Sequence, residues 1–224
     1  MTSKLSSALV AEFVGTFALV FVGAGAAALG FGGPVGVALA HGLVVLAFVY
    51  SFGHLSGSHL NPAVTVGVWA AGKMDARRAL SYIVFQLVGG IVAGYALVGL
   101  LGGPVGGLGT GALARELAVG GATVTVTPAW GWFLEALLAF FWANAVLFCA
   151  VSGKAGNLAG VAIGLTVTSN FLIGGPLTGS IADPARQLGP ALAASRFDHL
   201  ALYLVAPLVG GVAAAMLHRF LGEK

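Results

Sequence analysis

Two short stretches carry the residue types and spacing with chemistry to do. His59-Leu60-Asn61-Pro62-Ala63-Val64-Thr65 and Ile181-Ala182-Asp183-Pro184-Ala185-Arg186-Gln187 each place an amide or carboxyl side chain directly before Pro and a good helix former. That order reads as a helix N-terminus: Asn61 or Asp183 caps, and Pro62 or Pro184 sits in the first turn, where its missing N–H leaves nothing unsatisfied. Glu12 and Glu135 lie inside long apolar runs, where a charge is expensive without a partner. They read either as a proton relay or, the favoured reading, as acceptors that brace neighbouring loops. His54 and His59, just before the first cap, read as loop-bracing donors. A metal site needs clustered Cys, His or carboxylate ligands, and none is spaced for one. No nucleophile stands beside a base, so the chain reads as no enzyme, and nothing in it implies a cofactor.

The elements that position these residues follow from composition. The chain is 58% hydrophobic and 8% charged, with a mean hydropathy of +1.00, against roughly a quarter charged residues in a soluble domain. It reads as an all-α integral membrane protein in a lipid bilayer. The 36 glycines suit that solvent, because helices in lipid associate through close backbone approach at small residues, as at Gly90-Ile91-Val92-Ala93-Gly94. A net charge of +3 with no dense basic run gives no reason to invoke nucleic acid. The single cysteine, Cys149, rules out an intrachain disulfide framework and reads as a packing residue. The first apolar stretch contains Glu12 and is too long for a signal-peptide core, so it reads as a span.

Spanning helices are predicted at 5–29, 35–53, 77–101, 127–150, 157–175 and 199–221, each near the ~20 residues a bilayer demands. Two apolar remnants are left, 62–71 and 184–194. At about 1.5 Å per residue each covers only half of a ~30 Å core, so two such half-helices entering from opposite faces meet near the middle. Glu12 and Glu135 are separated by 123, Asn61 and Asp183 by 122, and the segments Tyr82…Gly89-Gly90 and Tyr203…Gly210-Gly211 by 121. Three spans per half then make an inverted-topology repeat, with repeat one at 1–101, a loop at 102–126 and repeat two at 127–224, forming a single channel-like membrane domain. Lys4, Lys73, Arg77, Arg78, Lys154, Arg219 and Lys224 fall on the side of the termini, and only Arg115, Arg186 and Arg196 on the other. Both termini are therefore expected in the cytoplasm, in a multi-pass protein of the cell (inner) membrane. Trp130 and Trp132 open the fourth span at the level of an interfacial aromatic belt. The glycine-rich 102–121 stretch reads as an extracellular loop.

Ala11-Glu12-Phe13-Val14-Gly15-Thr16, Gly53-His54 through Thr65, and Asp183-Pro184-Ala185-Arg186 resemble the aquaporins, the major intrinsic proteins, and the resemblance covers essentially the whole chain. It implies six tilted helices with two re-entrant half-helices, a pore in each protomer of a homotetramer, and passive conduction of water with ions excluded. Other small neutral solutes, among them ammonia, hydrogen peroxide and glycerol, are the alternative. A proton-coupled secondary transporter using Asp183 is a remoter one, since broken helices and inverted repeats describe transporters too. Non-helical backbone at membrane depth is tolerated where it lines a cavity, so the breaks before Pro62 and Pro184 mark the pore. There free carbonyls offer acceptors, and the positive ends of both half-helix dipoles oppose cations.

The resemblance places the narrowest point at His41, Phe171, Ser180 and Arg186. Water-selective members usually carry the aromatic on helix 2 and the histidine on helix 5, and here the two are exchanged. A one-residue slip along helix 5 would put Asn170 in place of Phe171, and His41 also admits a helix-packing reading. Helix 2 histidines occur in members that pass ammonia. Gln187 stands where glycerol facilitators generally carry Asp, Ala191 matches water channels, and Leu204 after Tyr203 departs from their aromatic pair. The larger departure is Asp183 in place of the second Asn. Three states are open to it: an ionised N-cap favoured by the dipole and balanced by Arg186, an acid that keeps its proton and still donates, or a charge that lets cations leak.

Overall fold

The computed structural model describes residues 2–222. Six helices are long and apolar enough to cross a membrane: α1 (Leu5–Leu29), α2 (Gly33–Ser56), α4 (Ala76–Leu101), α5 (Pro128–Val151), α6 (Gly156–Thr178) and α8 (Leu200–Phe220). Between them lie the short helices α3 (Pro62–Ala70) and α7 (Pro184–Ala194). Each begins as its sequence dictates. The backbone of Asn61 is extended (φ −152°, ψ 123°), its side chain accepts from the N–H of Ala63, and Pro62 opens the helix; Asp183 (φ −150°, ψ 110°) and Pro184 repeat the arrangement.

The half-helices dock crosswise. α3 packs against α8, the last span, while α7 packs against α4 of the first half. Glycine permits both contacts. A Cβ on Gly211 of α8 would lie 2.2 Å from the Ala63 carbonyl oxygen of α3, and one on Gly90 of α4 would lie 2.5 Å from the Ala185 carbonyl oxygen of α7. The recurring Gly-Gly pair is thus the seat of a half-helix, on which backbone meets backbone. Large apolar side chains such as Val10, Leu43, Val84, Val88, Leu165 and Val209 face outward, as lipid requires. The polar set turns inward: Glu12, His41, Asn61, Glu135, Asp183 and Arg186 are all at most 1% exposed. A bilayer protein of this kind keeps its polar residues at the bundle interior or beside a cavity.

Three boundaries differ from the sequence reading. α2 runs on past 53 to Ser56 and ends on Gly57 in the left-handed region. α6 passes through Pro176 to Thr178, a proline near the helix end costing one backbone bond rather than the helix. The 102–126 stretch is not a plain loop. It holds a tight turn at Val105–Gly109 and an antiparallel hairpin, Leu117–Val119 with Ala122–Val124, turned by Gly120-Gly121 at φ 56° and 83°. Paired positive φ values are what a two-residue hairpin turn needs. Trp130 and Trp132 are exposed at the start of α5, and Cys149 is half-buried.

Candidate functional site

The tips of α3 and α7 meet. Asn61 Nδ2 donates to the Ala182 carbonyl at 2.9 Å, while its Oδ1 accepts from Ala63 N at 2.7 Å, so one amide caps its own half-helix and holds the approach to the other. Asp183 Oδ1 accepts from Ala185 N at 2.8 Å and Arg186 N at 3.3 Å. Its Oδ2 is buried and has no partner among the described residues.

The backbone leading to each tip is left-handed at alternate residues: Ser58 (φ 47°) and Leu60 (φ 53°) in the first loop, Ser180 (φ 50°) and Ala182 (φ 49°) in the second. Each such residue costs about 1–2 kcal/mol if not held, and two buried glutamates hold them. Glu12 Oε1 accepts from Ser56 Oγ and His59 N, and its Oε2 from Leu60 N and Gln86 Nε2, at 2.6–3.0 Å. Glu135 Oε1 accepts from Thr178 Oγ1 and Ile181 N, and its Oε2 from Ala182 N. In a trans peptide the carbonyl points opposite to the N–H of the next residue. With the N–H groups of His59, Leu60, Ile181 and Ala182 turned to the glutamates, the carbonyls of Ser58, His59, Ser180 and Ile181 turn away from them. Tyr82 and Tyr203 complete the parallel, their hydroxyls donating to the Ser56 and Thr178 carbonyls.

His59 is 5% exposed, its Nδ1 lies 3.1 Å from Thr65 Oγ1, and its ring meets Tyr82 edge-on. His54 is a correction to the sequence reading. It lies exposed on the last turn of α2, and Ser56, brought inward because the helix runs three residues further than predicted, makes the bond to Glu12 instead.

On the other side of the tips, His41 and Phe171 stack face to face with ring centroids 3.6 Å apart. Phe171 therefore points at His41, whereas Asn170 ties α6 to α5 by donating to the Leu138 carbonyl; the one-residue slip along the helix does not occur. His41 Nδ1 lies 2.8 Å from the Val37 carbonyl, and Arg186 Nε donates to Nε2 at 3.2 Å. A carbonyl at one nitrogen and a guanidinium at the other leave one consistent assignment, a neutral ring with its proton on Nδ1. The ring packs against α1, where a Cβ at Gly23 would come within 2.4 Å of it. Arg186 is anchored by donating from Nη1 to the Gly109 carbonyl at 2.8 Å. Its guanidinium bonds thus run outward, and the hydrogen bond that Asp183 accepts from Arg186 comes from the backbone N–H. Ser180 Oγ, close to Gly174 of α6, is buried without a partner among the described residues.

Gly109 and Gln187 were not foreseen as parts of this site. Gln187 Oε1 accepts from Gly111 N at 2.9 Å, so the glycine-rich segment is fastened to α7 at two points. For Gly109 the only sequence signal was the density of glycine in a stretch too long for a bare connection, whereas Gln187 stood within the second motif.

Two cavities approach from opposite ends. One, of about 470 Å³, is lined by Val37, Gly109, Thr110, Phe171, Gly179 and Arg186. The other, of about 320 Å³, is lined by Ser56, His59, Lys73, Asp75 and Arg78 among others. Between them lie the stacked rings and the half-helix tips. Among the described residues no cluster of His, Cys, Asp or Glu is arranged to hold a metal ion.

Comparison with known proteins gives a consistent result. The family model described as major intrinsic protein matches residues 1–218. The chain is 38% identical over 221 residues to aquaporin NIP3-1 of Oryza sativa subsp. japonica, covering 95% of this chain and 67% of that one. It is 36% identical to glycerol uptake facilitator protein-like 6 of Lactiplantibacillus plantarum, covering 96% and 98%, and 33% identical to aquaporin AqpM of Methanothermobacter thermautotrophicus, covering 99% of each. Among solved structures, the aquaglyceroporin from Plasmodium falciparum shares the fold with a TM-score of 0.82 at 24% identity, covering 96% of this chain and 95% of that one.

Proposed function

Because the chain belongs to the major intrinsic protein family, whose members are channels and not enzymes, we propose that it is a passive water channel that excludes ions. The supporting observation is the meeting of two capped half-helix tips, joined by Asn61 Nδ2 to the Ala182 carbonyl, between cavities that open toward opposite ends of the bundle. Water leaves the outer cavity past Phe171 and Arg186. Rings 3.6 Å apart leave no gap for a molecule, so the route runs along their edge, by Ser180 Oγ and the guanidinium N–H groups that His41 and Gly109 do not use. It continues along the carbonyls of Ser180, Ile181, His59 and Ser58 and the second hydrogen of Asn61 Nδ2. Each supplies part of the hydrogen bonding that single-file water gives up. Arg186 and the two helix N-termini oppose hydronium and other cations.

A broader solute range is the second reading, favoured by the relative that is named a glycerol uptake facilitator and by the small Ser180. The stacked pair and the anchored Arg186 favour the narrower one. As in related channels, we take the assembly to be a homotetramer with both termini on the basic, cytoplasmic side, where Lys73 and Arg78 line the inner mouth. The test is a stopped-flow panel on reconstituted vesicles comparing water, glycerol, ammonia, hydrogen peroxide and protons. Fast water flux with glycerol and proton flux at the level of empty vesicles supports the proposal. Glycerol flux that matches water flux would replace it with the broader channel.

A further inference from the structure

We infer that Asp183 works as a neutral acid, with a proton on Oδ2 donated to the Leu60 carbonyl, and so supplies the donor that an amide would supply at this position. The inference rests on the channel reading for its consequence and on the symmetry of the two tips for its geometry. Asn61 shows what a tip demands: an oxygen that accepts from the N–H two residues on, and a donor aimed at the carbonyl of the left-handed residue that precedes the opposite cap. That carbonyl belongs to Ala182, φ 49°, and its counterpart in the first loop belongs to Leu60, φ 53°. Asp183 has the backbone conformation of Asn61 to within 13° in ψ, and its Oδ1 makes the equivalent bond to Ala185 N. By the repeat, its buried and unpartnered Oδ2 corresponds to the amide nitrogen of Asn61, and the Leu60 carbonyl to the acceptor at Ala182. Two oxygens in that relation repel unless one carries hydrogen, and of the two forms of a carboxyl only the acid offers an acceptor and a donor together.

The other buried carboxyls among the described residues make the contrast. Glu12 has two donors on each oxygen, and Glu135 has two on Oε1 and one on Oε2, an environment suited to a carboxylate. Asp183 has both of its donors on Oδ1 and none on Oδ2. Arg186 lies near enough for its charge to act on Asp183, yet no charged or titratable group around the acid hydrogen-bonds Oδ2. Arg186 is turned to His41 and Gly109, Glu135 to the Thr178 hydroxyl and the N–H groups of Ile181 and Ala182, and Glu12 to the first loop. A neutral acid leaves the midplane without a negative charge. Cation exclusion survives the loss of the second Asn, while one of the two amide hydrogens that would face the lumen is gone.

The test is infrared spectroscopy of the wild-type protein in lipid at neutral pH, with its aspartates labelled by 13C at the carboxyl carbon. The only other aspartates, Asp75 and Asp198, are exposed. The expected result is a protonated-carboxyl stretch that shifts with the label and is lost in Asp183→Asn. Asp183→Asn restores an amide donor that needs no proton and should alter water permeability by up to about fivefold, the worth of one hydrogen bond. Absence of the shifted band in the wild type overturns the inference, as does a cation leak that falls in Asp183→Asn. The labelled measurement needs no variant to fold. Vesicles that pass no water while the band is present would remove the channel reading and leave the acid standing; flux without the band would do the reverse.

Discussion

The first half-helix is capped by an amide and the second by an acid, yet the two caps share backbone conformation, first-turn proline, preceding left-handed residues, a bracing glutamate and a glycine seat. What a repeat preserves, then, is a set of donors and acceptors at fixed points in space more than a residue type. The halves differ in how fully that set is supplied. Glu12 receives a fourth donor from Gln86, and the corresponding position on α8 is Pro207, which has no side-chain donor. The first loop is braced wholly from within its bundle, whereas the second also leans on the glycine-rich segment through Gly109 and Gly111.

The largest effect should come from filling the glycine seats. Gly211→Ala and Gly90→Ala each drive a methyl into a backbone carbonyl, and each is expected to cost at least about 3 kcal/mol, the upper range for overpacking. Melting of the detergent-solubilised protein measures it, with Gly99→Ala, where the space is open, as the unaffected control. If only one seat is sensitive, the crosswise docking is not shared by the halves.

Next, Glu12→Gln and Glu135→Gln each turn an NH2 toward backbone N–H groups. Losses of about 2–3 kcal/mol are expected, as for bonds to a charged group. Gln86→Leu should cost about 1–2 kcal/mol by stripping one donor from Glu12, a change for which the second half has no equivalent. Equal melting of Gln86→Leu and wild type would show that the fourth donor contributes nothing.

Arg186→Ala removes the group held by His41 and Gly109. It should raise glycerol and proton flux about tenfold, near 1.4 kcal/mol, while the folded protein melts within a few degrees of wild type. Unchanged flux would move the narrow point elsewhere.

Most of this architecture was legible in the sequence because its signals are local. A polar cap before proline announces a helix start wherever it falls, and ten apolar residues cannot span a bilayer. The Glu and Tyr landmarks betrayed the repeat because such residues are scarce in this chain, and the Gly-Gly pairs fell at the same offset. His54 was misjudged by a short stretch of helix. Since α2 continues to Ser56, position 54 rotates outward and position 56 inward. The anchoring of Arg186 by Gly109 was illegible for a different reason: a backbone carbonyl from a glycine run leaves no side-chain pattern to read.

The central claim is that solute passes where the half-helix tips meet, and Ser180, buried in the loop three residues before Asp183, is the place to test it. Osmotic shrinkage of vesicles carrying Ser180→Cys should be fast and then fall toward the rate of empty vesicles on adding a mercurial. Wild-type flux should persist under the same treatment, because Cys149 lies in a separate crevice of α5. Rapid flux through Ser180→Cys that the mercurial leaves untouched would contradict the account.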